Sequence, residues 1–202
     1  MIGITEYREN ETNININGHT SIKMDINSFE FTKVDQKIFR LLCLRTGEKL
    51  SQREIAKLIE VSPMSVSNSV KRLENIGLVS IETLKTINFI SFDRDSHTAA
   101  KMKQAENLRN IYLSGLSDYL EEECAGSTII LFGSFQRGED TIDSDIDIAV
   151  IGRKYKVLQL ERFEKMLYRS INVNFYDSLS GIHRNLRNNI LNGLVLQGNV
   201  DI

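Results

Sequence analysis

Between Leu131 and Val150 the chain reads LFGSFQRGEDTIDSDIDIAV, and two pairs of residues in it restrict the fold more than any other feature. Asp145, Ile146, Asp147 and Ile148 alternate acid with aliphatic, which is the period of a β-strand. Both carboxylates therefore fall on one face and both isoleucines on the other. Upstream, the apolar run TIILF leads straight into Gly133 and Ser134, with ten residues between Ser134 and Asp145. A glycine that opens a helix after a strand lets backbone N–H groups approach a phosphate, and Ser134 adds a hydroxyl donor. Two carboxylates on one face repel each other and call for a cation, and oxygen ligands of this kind suit Mg2+. Either pair alone is common in turns and edge strands. Together, on strand, helix and strand, they predict a phosphate cradle opposite a metal site.

The surrounding pattern places this stretch in a small sheet domain spanning residues 126–202. Strand TIILF, helix-like SFQRGED, strand DIDIAVI, helix VLQLERFEKMLYR, strand INVNFYD and helix IHRNLRNNIL alternate along it. Glu139, Asp140 and Asp143 read as turn residues. Before this domain, residues 96–125 read as one long helix from His97 to Cys124, capped by Ser96. Leu108, Ile111, Tyr112, Leu116, Tyr119 and Leu120 line its apolar face. That face is expected to cover the following sheet, with a link between domains or a homodimer contact as the alternative.

Residues 29–95 carry a different pattern. TKVD has capping-box spacing ahead of a helix that ends near Gly47, Ser51 caps the short helix QREIAKLIE, and Ser62 with Pro63 opens a third helix that Gly77 stops. LVSIET and INFISFD then alternate as two strands. Three helices followed by a ribbon is the order of a winged helix-turn-helix, so the fold class is a two-domain α+β or α/β chain. Residues 1–28 form an N-terminal extension whose TSIKMDI suggests a short strand.

A length of 202 residues suits two compact domains, and 41% hydrophobic with 26% charged residues is ordinary for a globular chain. No apolar run reaches the roughly 18 residues of a membrane span. The N-terminus lacks the basic and apolar segments of a secretory signal, so a cytoplasmic location is expected. Cys43 and Cys124 have no metal or redox spacing and are expected to be buried free thiols. A net charge of -2 gives no global attraction to nucleic acid, so DNA binding needs a local patch. The third helix offers one: Ser65, Ser67, Asn68, Lys71 and Arg72 are expected to face a major groove, beside Met64. The alternative for this module is protein interaction.

The stretch SPMSVSNSVKRLENIGLV resembles winged-helix regulators of the multiple-antibiotic-resistance type and their archaeal relatives. The Gly-Ser, ten-residue, Asp-x-Asp pattern resembles the nucleotidyltransferase superfamily of DNA polymerase β, above all its minimal members, over about 127–198. That resemblance implies that Gly133 and Ser134 hold the triphosphate of an NTP such as ATP, with Arg137 and Ser144 beside it. It further implies that Asp145 and Asp147 bind one or two Mg2+ ions and serve catalysis. An acceptor hydroxyl then attacks the α-phosphate and pyrophosphate leaves. The family carries a third carboxylate on a later strand. Here that strand has Asn172, or as second choice Asn174, at the matching position. An amide carries no charge and accepts no proton, which leaves transfer and mere nucleotide binding as two separate expectations. A third follows from the same family, in which minimal members act as antitoxins that nucleotidylate a partner protein.

Overall fold

A computed structural model describes residues 30–200. The expected strand in TSIKMDI lies outside them. The winged part runs α1 (Lys33–Leu44), β1 (Leu50–Ser51), α2 (Gln52–Ile59), α3 (Pro63–Asn75), β2 (Val79–Leu84) and β3 (Ile87–Phe92). Each helix begins where the sequence supplies a cap. Thr32 and Ser51 form capping boxes with Asp35 and Glu54, and Ser62 accepts from the Ser65 amide ahead of Pro63. The ribbon is antiparallel, and β1 adds a third strand to it in the order β1-β3-β2. Ile38, Leu42, Ile55, Val66, Val70, Leu73 and Ile90 fill the core beneath.

The expected single helix from His97 to Cys124 is two, α4 (His97–Leu113) and α5 (Leu116–Glu123). Gly115, at a φ of 74°, turns the chain between them, a conformation that costs little only for glycine. The buried side of α4 is Ala99, Lys103, Asn107 and Ile111, spaced by four. Ala99 belongs to the winged-helix core and Ile111 to the core of the following domain, so α4 serves both.

The second domain runs β4 (Thr128–Phe132), α6 (Gly133–Arg137), β5 (Ile146–Ile151), α7 (Glu161–Leu167), β6 (Ile171–Tyr176), α8 (Arg184–Leu191) and β7 (Leu194–Gln197). Its sheet has the order β6-β5-β4-β7, with β5 and β6 parallel and the other pairs antiparallel. Strand parity sorts the residues as the alternation predicts. Ile146, Ile148 and Val150 join Ile129 and Leu131 under α5 and α7. Ile130, Phe132 and Ala149 face α8 through Ile190. The apolar stripe after Gly115 thus covers this sheet. The helix expected from VLQLERFEKMLYR begins only at Glu161, and β7 is a strand the alternation did not predict.

Candidate nucleotide and metal site

The site begins where β4 passes into α6. Gly133 has a φ of 82°, and a Cβ placed on it would come within 2.5 Å of Asp147 Oδ2. Backbone geometry and close approach both require glycine here. The cradle residue and the second carboxylate are therefore in direct contact across β4 and β5, where Phe132 pairs with Asp147. Ser134 is half-buried beside it, and its carbonyl accepts from the Glu139 amide at 3.0 Å. Arg137 bonds Glu139 at 2.7 Å and Asn189 of α8 at 3.1 Å, near enough to Asp147 for its charge to be felt there. Ser144 turns into its own loop, its hydroxyl accepting from the Thr141 amide at 2.9 Å.

Asp145 is exposed and Asp147 half-buried, with Ile146 and Ile148 fully buried on the opposite face. The parallel register of β5 and β6 sets Asn172 directly across from Asp147 and Asn174 across from Ala149. Asn172 Nδ2 donates to Asp145 Oδ2 at 3.1 Å. Of the two asparagines, Asn172 is thus the one beside the acidic pair. Burial pushes the Asp147 carboxyl above the usual carboxylate range and the Asp145 charge adds to this, while the Asn172 hydrogen bond and Arg137 oppose it. An acid in this position gains from a cation. Mg2+ takes one or two protein carboxylates and completes its shell with phosphate and water, and this donor set fits that demand. Among the described residues no cluster of three or more His, Cys, Asp or Glu gathers anywhere.

Asp140, expected to be a turn residue, is only 1% exposed. It forms an ion pair with Lys103 at 3.1 Å, accepts from Asn107 Nδ2 at 2.8 Å and meets Arg169 at 3.5 Å. Lys103 also donates to Thr46 Oγ1 at 2.8 Å, Arg169 to the Leu44 carbonyl at 2.9 Å, and the Ile142 amide to the Thr46 carbonyl at 3.1 Å. Gly138 lies so close to α4 that a Cβ would run into the Ala100 carbonyl. The loop carrying Ser144 and Asp145 is thereby fastened to α4 and to the end of α1. Burial pulls the Lys103 ammonium below its ordinary value, against the opposing pull of Asp140. Nothing local in the sequence signals this cluster, because its partners lie 29 to 37 residues from Asp140 or farther.

On α3, Met64, Asn68, Lys71 and Asn75 are exposed at helical spacing, with Ser65 and Ser67 half-buried beside them. Arg72 is engaged elsewhere. Its guanidinium bonds Asp35 at 2.8 and 3.3 Å and Ser69 at 3.0 Å, tying α3 to the first turn of α1. Cys43 and Cys124 are both buried and free, as expected. No described helix is long and apolar enough to cross a membrane.

Two family models match the chain. Residues 115–199 match "Polymerase beta, Nucleotidyltransferase", and residues 21–86 match "Bacterial regulatory proteins, gntR family". The winged half thus matches the gntR family of winged-helix regulators. Comparison with the curated proteins and with the solved structures gave no match. The chain joins a GntR-type winged-helix domain to a nucleotidyltransferase domain of the polymerase β family.

Proposed function

We propose that this protein is a DNA-binding regulator whose second domain holds a Mg2+-bound nucleoside triphosphate without transferring it at an appreciable rate. The observation that carries this reading is Asn172, seated across from Asp147 and hydrogen-bonded to Asp145 where the family carries its third carboxylate. Gly133, Asp145 and Asp147 provide a phosphate approach and a cation seat. When bound, Mg2+ would neutralise phosphate charge. Taking a proton from an acceptor hydroxyl requires a base, and the Asn172 amide is not one. General base catalysis is worth about 100- to 10,000-fold, so its loss leaves binding and removes most of the rate.

Labelled ATP with Mg2+, offered to the protein alone and with cell extract, tests this. Saturable binding without label transfer, lost in Asp145→Asn, supports the regulator. Transfer by the wild type to a protein acceptor would replace it with the second reading, a nucleotidyltransferase or antitoxin, which the intact Gly133–Asp147 contact favours. For the DNA-binding half, Lys71→Ala should weaken binding evenly across sequences and lower the salt slope by about one. An unchanged slope would remove Lys71 from the interface.

A further inference from the structure

Apart from the carboxylate site, a cleft of about 380 Å3 opens where α1, α4 and α7 meet, within the size range of small-ligand pockets. Its charge is unbalanced. Arg40, Arg109 and Arg169 line it, and among the described residues Glu106 is the only acid that does. Glu106 is already shared, meeting Arg40 Nε at 3.2 Å and accepting from Arg109 Nε at 3.0 Å. Arg169 has no acid of its own: Asp140, at 3.5 Å, is paired more closely with Lys103, and the remaining Arg169 bonds go to the carbonyls of Leu44 and Tyr168. The Arg169 Nε is buried without a partner among the described residues. Three guanidinium groups thus line the cleft with one carboxylate, and the only other acid in reach among the described residues, Asp140, is shared between Arg169 and Lys103, an arrangement that an anion would relieve.

The mouth of the cleft has a second character. Leu113, Met166 and Tyr168 line it and are 69%, 57% and 71% exposed. Large side chains this open to water gain from an apolar cover. We propose that the cleft binds a small amphipathic organic acid, its anionic head toward the arginines and its apolar body across Leu113, Met166 and Tyr168. Because Arg169 also grips the end of α1 and the loop before Asp145, such a ligand would sit where both domains are joined.

Octanoate, octylamine and inorganic phosphate, titrated calorimetrically into the full-length protein, separate the two parts of the idea. Octanoate should bind saturably, with octylamine and phosphate at least about tenfold weaker. Arg109→Gln and Arg40→Gln, both at half-exposed positions, should each weaken octanoate by about tenfold, and Leu113→Asn should weaken it as well. Equal binding of octylamine, octanoate binding untouched by both arginine variants, or no saturation at all would overturn the proposal. So would a dimer closed over this cleft, dissociated by Arg109→Gln and impermeable to octanoate.

Discussion

Two acidic centres lie within eight residues of each other and have opposite surroundings. Asp140 is sealed from water and meets an ammonium, a guanidinium and an amide of the chain itself. Asp145 and Asp147 face outward, and the nearest polar side chain across the sheet is the neutral Asn172. The first centre is complete in that the chain supplies the counter-charge of its carboxylate, and it ties the loop to two helices. The second is incomplete in that sense: Asp147 on β5 and Asp145 directly before it carry like charges that a cation from outside would offset. A carboxylate in a fold therefore means structure or binding according to whether the chain supplies its counter-charge.

Breaking the complete centre should have the largest effect. Asp140→Ala strands Lys103 and Arg169 in a buried place and should cost about 3–5 kcal/mol in denaturant unfolding. Lys103→Met, which leaves Asp140 with Asn107 and Arg169, should cost less, about 1–3 kcal/mol. Equal losses would mean that the carboxylate is not the hub.

Asp35 is a third acid, and its partner Arg72 also comes from the chain itself. Burial raises its carboxyl, but the hydrogen bonds from Arg72, Thr32 and Ser69 outweigh this and hold it below the ordinary 3.8. A depressed carboxyl stabilises the fold above its unfolded value and loses that contribution as pH falls through 3.8 and below. Arg72→Ala should cost about 1–2 kcal/mol at neutral pH, since Arg72 is half exposed, and should flatten the acid side of the stability curve. An unchanged acid limb would contradict the pairing.

The incomplete centre should respond with the opposite sign and the smallest size. Asp145→Asn relieves repulsion and should leave the free protein unchanged or stabilise it by up to about 1 kcal/mol, while abolishing any stabilisation by Mg2+. Because burial raises Asp147, Mg2+ affinity should weaken as pH falls toward the carboxylate range, beginning above 3.8. Destabilisation by Asp145→Asn without added metal would mean that the two acids are as complete as Asp140.

How far each centre was legible in the sequence follows from the range of its contacts. Asp147 lies on β5 and Asp145 directly before its first residue, one position short of the expected strand start, so the strand period brought both to notice. Gly133 and the caps at Thr32, Ser51 and Ser62 were equally local, whereas Asn172 came from the family resemblance, with Asn174 as second choice, because its contact with Asp145 spans 27 residues. Asp140 looked like a turn residue because its partners come from α4 and from Arg169. Lys103 and Asn107 were hidden for a related reason: they take buried positions on α4 that a hydrophobic pattern assigns to aliphatics. The pairing of Arg72 with Asp35 was hidden because the two lie 37 residues apart. The break at Gly115 was masked by an apolar stripe that continues on both sides of it.

Whether the site binds or transfers depends on Asn172, and Asn172→Asp tests this most directly. With labelled ATP, Mg2+ and cell extract as acceptor source, the variant should transfer label about 100- to 10,000-fold faster than the wild type while both bind the nucleotide. A wild type that already transfers as fast as the variant would contradict the account. So would a variant that binds ATP as the wild type does and still transfers nothing.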